Sequence, residues 1–506
     1  MKFLKILSLL LALLLLTSVF ASCSGLFPFV TDTEQSYDTQ EQTESESGSD
    51  SESGSKTDPT TDKDEKRYLN GISIDEYTIV YSAKDEDYGM RAAKYIQDQI
   101  KSRTGIKIEL QKDSADSCDH EIVVGETSRP ISESLNAPTP GLQFAIYAND
   151  DHIAMEGDYF IIAAAAYFFI ETYVNDESLD ANVPKEISVH EPIVKEAKNF
   201  ILLIGDGMGF NQTLLFEVYD AETEGSKAYS DGEDIFYGYM LPYKGSAITT
   251  SLSGTTDSAA GGTALATGYK TYNSRVGKDK NNNDIQSLTE LAGSMGMATA
   301  VMSTDDPDGA TPASFSSHAE SRKDSQTIKD SQDALKLKYD TIIDCGNSSY
   351  NKLGTFSLEN RINKTLDKLS DNEKGFFIMY EEAHIDKHSH SSDMDKTFNA
   401  VVRFNQAIGI FMEYAFYNPD TFVLITADHE TGGLKIDENG DFAYTSPENS
   451  EGSRNHTGAN VPVFAYGIGA EVFNNATVEN VEIPQHIARL MGVDEFGGPI
   501  HTYDYF

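Results

Sequence analysis

The chain has 506 residues, of which 39% are hydrophobic and 24% are charged, which is enough for two or three folded domains. Its formal net charge of −42 argues against nucleic acid or an anionic membrane surface as a partner, because an acidic surface repels phosphate groups. A small phosphorylated substrate stays compatible with this charge, since bound metal ions reverse the field locally.

The N-terminus has the pattern of a targeting signal. Lys2 and Lys5 precede an apolar run, which ends in the four-residue motif Phe-Ala-Ser-Cys at Cys23. The motif resembles the lipobox of bacterial lipoprotein signal peptides, although Phe20 replaces the usual leucine. It predicts a signal peptide over residues 1–23 and an extracytoplasmic protein, lipid-anchored to a bacterial membrane through Cys23. A simple secretory signal and an uncleaved membrane anchor are the alternatives, and both also place the remaining chain outside the cytoplasm.

Composition divides the rest of the chain into three parts. Residues 24–66 are rich in Ser, Thr, Asp and Glu and cannot bury enough apolar surface to offset their chain entropy, so a disordered tether is predicted there. Residues 67–195 are predicted to form a small α/β accessory domain, and residues 196–506 a larger α/β domain. Cys118 and Cys345 are predicted to be unpaired, because one distant pair makes no disulfide framework.

The accessory domain is predicted from short alternating elements. Ala93, Ile96 and Ile100 form a helical apolar stripe that ends near Gly105. Strands are predicted at 77–81, 107–110, 121–124, 144–147 and 153–156, and a second helix at 160–174. The segment around Ile122 weakly resembles accessory domains of some extracellular glycoside hydrolases, and a packing or spacer role is the simpler interpretation.

From residue 196 onward, strand and helix patterns alternate to the end of the chain. Buried strands are predicted at 200–205, 298–302, 375–380, 421–426 and 461–466, with helices between them such as 397–414. This alternation predicts a mostly parallel sheet with helices on both faces.

Polar residues suited to metal binding follow several of these strands. Asp206 follows the first strand, Glu381 the third, and Asp428 with His429 the fourth. Ligands of open α/β sheets bind at the carboxyl ends of the strands, and acidic groups gathered there repel one another unless a cation lies between them. A single Asp or His after a strand is usually structural, but the recurrence at several strand ends indicates a metal site.

A second element surrounds Ser258. Small residues after Thr255-Thr256-Asp257 open a helix whose first turn presents Ser258. A helix N-terminus favours negative charge and so suits an alkoxide or a phosphoryl oxygen. Taken alone, this stretch is compatible with a capped and tightly packed structural helix.

Together these motifs resemble the alkaline phosphatase family over roughly residues 196–506. The matching segments occur in the family's order: Asp206-Gly207-Met208-Gly209, Asp257-Ser258-Ala259, Gly309-Ala310-Thr311-Pro312, Arg322, the segment from Glu381 to His390, Asp428-His429 and His456. The resemblance implies an alkaline-phosphatase-like three-layer sandwich with a mostly parallel central sheet, preceded by the small α/β accessory domain. It also implies a metal-dependent phosphomonoesterase with a phosphorylated Ser258 as intermediate.

The resemblance also implies a role for each matching residue. One Zn²⁺ would be held by Asp386, His390 and His456, and a second by Asp206, Asp428 and His429 with Ser258 as the open ligand. A Mg²⁺ would use Glu381 and Thr311. Arg322 would bind two phosphate oxygens, and Lys387 occupies a position where some members carry a lysine that contacts phosphate through water.

Two positions depart from the family pattern. The family usually has Asp or His two residues before the magnesium-site threonine, where this chain has Gly309, so the third site is expected to be altered. The adjacent Asp308 is a candidate to compensate through a water molecule. Glu382 replaces a usual glycine and is expected to add negative charge beside the site.

Two other functions remain open from the sequence. A phosphodiesterase of the same superfamily would use the same zinc pair, although Arg322 favours a monoester because a dianionic terminal phosphate needs an extra cation. An inactive lipid-anchored binding protein would instead act through the accessory domain, for example by binding sugar. The predicted partners are a small phosphate monoester and a membrane through Cys23, with no nucleic acid, and relatives suggest a homodimer.

Overall fold

The computed structural model describes residues 66–83, 88–135, 141–175, 180–218, 235–346, 355–436, 441–450 and 452–499. The predictions for the signal peptide with Cys23, and for the tether up to residue 65, lie outside the described residues. Apart from Asp441, the described residues belong to one compact unit that contains two large sheets.

The first sheet has six strands and comes from the N-terminal part of the described chain. In spatial order the strands are Glu109–Lys112, Thr78–Tyr81, Glu121–Val124, His152–Glu156, Phe144–Ala148 and Ser188–His190. The first four are parallel, and Phe144–Ala148 is antiparallel to both of its neighbours. A three-stranded ribbon of Tyr68–Leu69, Ile72–Ser73 and Asp180–Ala181 accompanies this sheet.

Two long helices cover one face of this sheet, Tyr88–Thr104 and Ile161–Tyr173, and a single turn, Pro130–Glu133, packs against the other face. The stripe of Ala93, Ile96 and Ile100 that predicted the first helix is fully buried in the core. The central strands Thr78–Tyr81 and Glu121–Val124 are buried at every position, as expected of a parallel sheet that is covered on both faces.

The second sheet has eight strands. Their spatial order is Ile342–Cys345, Ala298–Ser303, Phe376–Glu382, Asn199–Gly205, Thr421–Thr426, Val461–Tyr466, Tyr243–Ile248 and Thr477–Glu479. The first five run parallel, and Val461–Tyr466 is antiparallel to both neighbours. The prediction of an α/β fold with a mostly parallel central sheet is confirmed.

Helices lie on both faces of this sheet, which gives three layers. They are Phe210–Val218, Ser258–Thr267, Leu288–Ser294, Ala310–Ser316, Ser325–Tyr339, Thr355–Ser370, His384–His390, Met394–Tyr417 and Glu482–Leu490. Two residues of one central strand that lie three positions apart point to opposite faces of the sheet. Phe377 stacks on Phe315 of one layer, whereas Tyr380 packs against Phe404 of the other.

The long helix Met394–Tyr417 joins the two sheets into one core. Tyr417 stacks on Tyr95 with ring centroids 4.3 Å apart, and Glu413 pairs with Arg91 at 2.9 Å. The helices of the first sheet thus pack directly against a helix of the second. In the described part of the chain, no helix combines the length and the apolar composition needed to cross a bilayer.

Candidate active site

Six of the residues predicted as metal ligands lie at the carboxyl edge of the eight-stranded sheet in two groups. Asp386, His390 and His456 form the first group, and Asp206, Asp428 and His429 form the second. Within each group, the candidate ligand atoms lie within 4.8 Å of one another.

The first group has the spacing of a zinc site. Nε2 of His390 lies 3.3 Å from Oδ1 of Asp386 and 3.1 Å from Nε2 of His456, which is itself 3.5 Å from that oxygen. Ligands bonded tetrahedrally to zinc at about 2.0–2.1 Å are separated by about 3.3 Å, so the three atoms already have the required separation.

Backbone carbonyls set the tautomers of these two histidines. Nδ1 of His456 lies 2.9 Å from the carbonyl oxygen of Thr256, and Nδ1 of His390 contacts the carbonyl oxygen of Arg454. Because a carbonyl only accepts, each Nδ1 carries the proton and donates it, which leaves Nε2 of the neutral ring as the ligand atom.

The second group is buried, and its carboxylates are only partly compensated by hydrogen bonds. Nε2 of His429 lies 3.5 Å from Oδ1 of Asp206 and 3.3 Å from Oδ2 of Asp428. Both of these oxygens are buried and accept no hydrogen bond from the described residues. Burial raises the pKa of Asp428 to about 7, with a further contribution from Asp386. Burial and the charge of Asp428 raise the pKa of Asp206 strongly, and burial lowers the pKa of His429.

These observations show that the residues fit metal ions. Buried carboxylate oxygens without partners, beside a neutral imidazole nitrogen, are a ligand set typical of Zn²⁺. The groups adjoin each other, since the rings of His429 and His456 stack with centroids 3.6 Å apart.

The strand-to-helix turn after Asp206 requires glycine. Gly207 has a φ of +73°, and a Cβ there would lie 2.8 Å from both Cβ of Asp386 and Oγ1 of Thr431. Its N–H donates to Oδ1 of Asp428 at 3.2 Å. A side chain at this position would therefore push the two groups apart.

Ser258 begins the helix Ser258–Thr267 beside the second group. Its Oγ lies 3.1 Å from Nε2 of His429. Asp257 caps this helix by accepting the N–H of Ala260 at 2.9 Å. A Cβ on Gly261 would lie 2.8 Å from the carbonyl oxygen of Asp428, so the small residues allow the helix to approach the ligand strand.

Arg322 lies beside Asp257, the residue that caps this helix. Its Nη1 is 3.8 Å from Oδ2 of Asp257, and its side chain is 36% exposed. The backbone N–H of Arg322 donates to the carbonyl oxygen of Ser274 at 2.7 Å, which fixes the start of the side chain. The guanidinium is therefore oriented by Asp257 and remains accessible to a bound anion.

Thr311 lies on the helix Ala310–Ser316, which packs against the Ser258 helix, and Glu381 lies on the strand Phe376–Glu382. Oγ1 of Thr311 is buried without a hydrogen-bond partner in the described chain, and Ser303 donates a hydrogen bond to Glu381. Burial, followed by the charge of Asp305, raises the pKa of Glu381 to about 8. Lys387 lies on the helix His384–His390, and its ammonium pairs with Asp305.

The charge of Glu382 is compensated, in contrast to the expectation. Glu382 follows Glu381 on one strand, so the two side chains point to opposite faces of the sheet. Nη2 and Nε of Arg403 donate to its carboxylate at 2.9 and 3.3 Å. Although burial opposes ionisation, the charge of Arg403 lowers the pKa of Glu382 to about 2.

Sequence reasoning missed Asp305 and Thr431. Thr431 donates a hydrogen bond to Asp386 and lies 3.2 Å from Nδ1 of His429, so it orients one ligand of each group. Asp305 follows the strand Ala298–Ser303, so the strand-end rule that selected Asp206 and Asp428 also applies to it. Asp308, the candidate to compensate for Gly309, is exposed.

Comparison with known proteins gives a consistent family relationship. The sequence model of the alkaline phosphatase family matches residues 197–346 and 347–452, together about half of the chain. Alkaline phosphatase 4 of Bacillus subtilis (strain 168) is 31% identical over 299 residues, which are 49% of this chain and 64% of that protein. Alkaline phosphatase 3 of the same strain is 29% identical over 302 residues, or 50% of this chain and 65% of that protein. The chain thus spans just under two thirds of the length of these relatives.

A solved structure shares the fold. The cold-active alkaline phosphatase from the psychrophile Shewanella sp. has a TM-score of 0.50 at 24% identity, over 58% of this chain and 99% of that chain.

Proposed function

Since the chain belongs to the alkaline phosphatase family, we propose that it hydrolyses phosphate monoesters to an alcohol and phosphate through a phosphorylated Ser258. The observation that carries this proposal is the position of Ser258, whose Oγ lies 3.1 Å from Nε2 of His429 at the N-terminus of a helix. The hydroxyl thereby adjoins a buried group of candidate metal ligands. Serine accepts the phosphoryl group in the first step, and water hydrolyses the phosphoserine in the second.

The other residues of the site position the substrate. Arg322, held by Asp257 at 3.8 Å, presents a planar fork of donors that matches two phosphoryl oxygens. The N-terminus of the helix Ser258–Thr267 favours the negative charge that arrives with the phosphoryl group.

Asp386, His390 and His456 would hold one Zn²⁺, and Asp206, Asp428 and His429 a second. When bound, the two ions would supply positive charge that stabilises the transferring phosphoryl group and lowers the pKa of the Ser258 hydroxyl. Asp206 and Asp428 would then no longer be unpaired, because their buried oxygens would bond to a cation.

Hydrolysis of p-nitrophenyl phosphate by the full chain, supplied with zinc and magnesium, tests this function. We expect activity that disappears on chelation and falls by about a thousandfold or more in Ser258→Ala, because the substitution removes the nucleophile. Ser253→Ala, at an exposed serine of the same segment, is the matched control and should retain activity. Equal loss in both variants, or activity that survives chelation, would contradict the proposal.

The same protein preparation distinguishes a phosphomonoesterase from a phosphodiesterase. Bis(p-nitrophenyl) phosphate replaces the terminal phosphate by a diester and has one negative charge fewer. Arg322 is the observation that favours a monoester, since its guanidinium provides one more cation for a dianionic group. Faster turnover of the diester than of the monoester would replace the proposed activity by a phosphodiesterase.

We propose further that the protein is extracytoplasmic and anchored to a bacterial membrane by a lipid on Cys23. The basic residues, the apolar run and the Phe-Ala-Ser-Cys motif of the N-terminus support this location. In a bacterial host, the wild type should sediment with membranes and incorporate labelled fatty acid. Cys23→Ala should lose the label, and label retained in that variant would exclude Cys23 as the attachment site.

A further inference from the structure

The loop before Thr311 carries an acidic side chain in an unexpected place. Gly309 has no side chain where the family resemblance implies Asp or His, yet the space beside it is filled. A Cβ placed on Gly309 would lie 2.6 Å from Oδ2 of Asp305 and 3.0 Å from its Cγ. The carboxylate of Asp305 therefore occupies the position into which a side chain at residue 309 would project.

Local hydrogen bonds hold the loop in this shape. The N–H of Asp305 donates to Oγ of Ser303 at 2.8 Å, and that hydroxyl in turn donates to Glu381. The N–H of Gly309 donates to the carbonyl oxygen of Asp306 at 2.8 Å, which closes the turn between Asp305 and the helix that carries Thr311. Asp305 and Glu381 are thus connected through one serine hydroxyl.

A neighbouring hydroxyl group lacks a hydrogen-bond partner in the described chain. Thr311 is 1% exposed, and its Oγ1 makes no hydrogen bond within the described chain. Glu381 is equally buried, at 1% exposure. A buried hydroxyl without a partner beside a buried carboxylate costs free energy unless a ligand satisfies both, and oxygen ligands suit a hard divalent cation.

Lys387 pairs with only one of the two carboxylate oxygens of Asp305. Its ammonium pairs with Oδ1, whereas Oδ2 is the atom nearest to Gly309. The side chain of Asp305 is 24% exposed, so it lies between the buried pair of Glu381 and Thr311 and the solvent. It can therefore approach a cation at this site directly or through a bound water.

We propose that Asp305 replaces the missing side chain at residue 309 and, with Glu381 and Thr311, completes a third cation site selective for Mg²⁺-like ions. This inference rests on the proposed function for its biological meaning. Its physical basis is the carboxylate above Gly309 together with the unpartnered hydroxyl of Thr311. The loop that carries Asp305 has thus moved the acidic group four residues toward the N-terminus and kept it in the same space.

Binding of Mn²⁺ to the full chain loaded with zinc, followed by electron paramagnetic resonance without substrate, tests the proposal. Mn²⁺ serves as the probe because it shares the oxygen-ligand preference of Mg²⁺. We expect Asp305→Asn to weaken binding at one site by about tenfold or more, with the zinc content unchanged. Asp308→Asn, at an exposed residue with the same change of charge, should bind as the wild type does. Wild-type Mn²⁺ affinity in Asp305→Asn would overturn the proposal.

One further variant, Lys387→Met, distinguishes a cation ligand from a residue that only positions Lys387. If Asp305 acts through Lys387, Lys387→Met should weaken Mn²⁺ binding as Asp305→Asn does, and this result would contradict the proposal. A ligand role predicts that Lys387→Met binds Mn²⁺ at least as tightly, because a competing cation has been removed.

The double variant Asp305→Ala with Gly309→Asp should recover binding, and a folded double variant without recovery would contradict the shared position. Since no substrate is present, a failure of phosphate ester hydrolysis would count against the proposed function and leave this result unaffected.

Discussion

Two regions of this protein contain buried charges, and they differ in whether those charges satisfy one another. In the six-stranded sheet, Arg129 donates to both carboxylate oxygens of Glu121 at 2.9 and 3.1 Å and to the carbonyl oxygen of Asp113 at 2.9 Å. The carboxylate of Asp113 accepts the N–H groups of Ala83 and Ser128 at 2.8 and 2.7 Å. Although burial opposes this, the two amides lower the pKa of Asp113.

At the carboxyl edge of the eight-stranded sheet, the balance is different. Oδ1 of Asp206, Oδ2 of Asp428 and Oγ1 of Thr311 are buried without partners in the described chain, although the fold around them is closely packed. A closed network makes a region structural, whereas unpartnered buried charges at a strand edge indicate a region that requires a ligand. We therefore expect the first set of buried charges to contribute stability and the second to bind cations.

The largest expected effect concerns the closed network. Arg129→Met should lower the free energy of unfolding by about 3–5 kcal/mol, because it leaves Glu121 buried and unpaired. Chemical denaturation measures the change. The double variant with Glu121→Leu should recover most of the loss, and no recovery would show that the pair does not act as a unit.

In the group of Asp206, Asp428 and His429, removal of a buried charge should raise the free energy of unfolding of the metal-free protein instead of lowering it. In the presence of a chelator at pH 9, Asp206→Asn should raise the free energy of unfolding by about 1–3 kcal/mol, because it removes a buried charge next to Asp428. With zinc present, the variant should be less stable than the wild type, since it has lost a ligand. Destabilisation of the metal-free protein by Asp206→Asn would remove the distinction between the two regions.

A smaller effect sharpens the comparison within the larger sheet. Glu290, on the helix Leu288–Ser294 that packs on this sheet, forms an ion pair with His318, and Nε2 of His318 lies 3.0 Å from the carboxylate. Burial opposes both charges, but each partner overcomes it, so the pKa of His318 is raised and that of Glu290 is lowered. The stability from His318 is complete below its unfolded pKa of about 6.5 and is lost as the pH rises through its raised folded value.

Glu290 contributes above its unfolded pKa of about 4.3, and this contribution is lost as the pH falls through its lowered folded value. Between these limits both groups are charged. His318→Gln should therefore cost about 1 kcal/mol at pH 6 and clearly less at pH 9. Thermal unfolding at the two pH values gives the comparison, and an equal cost at both would show that the charge of His318 does not contribute.

Strand periodicity and the strand-end rule selected Asp206, Glu381, Asp428 and His429, whereas the other candidate site residues came from the family resemblance. The strands Thr421–Thr426 and Val461–Tyr466 have the predicted bounds, and Asp206 and Asp428 lie together at the carboxyl edge as the parallel order requires. Local sequence carries this information because a buried parallel strand is a continuous apolar run, and the next polar residue stands at the sheet edge.

The pairings between distant elements could not be predicted in the same way. Glu382 was expected to add charge beside the site, but Arg403 on the helix Met394–Tyr417 neutralises it, and only the packing of that helix on the strand brings the two together. Asp305 was missed for a different reason. The family pattern directed attention to residue 309 and its neighbour Asp308, whereas the shape of the turn places the carboxylate of Asp305 over Gly309.

The most direct test of the central claim is the isolation of the phosphorylated enzyme. The zinc-loaded protein should be incubated with a ³²P-labelled phosphate monoester, quenched in acid and digested. The account predicts one labelled peptide, which contains Ser258, and no label in Ser258→Ala. Turnover of the monoester without a labelled peptide, or with a label on another residue, would contradict the role of Ser258 as the nucleophile.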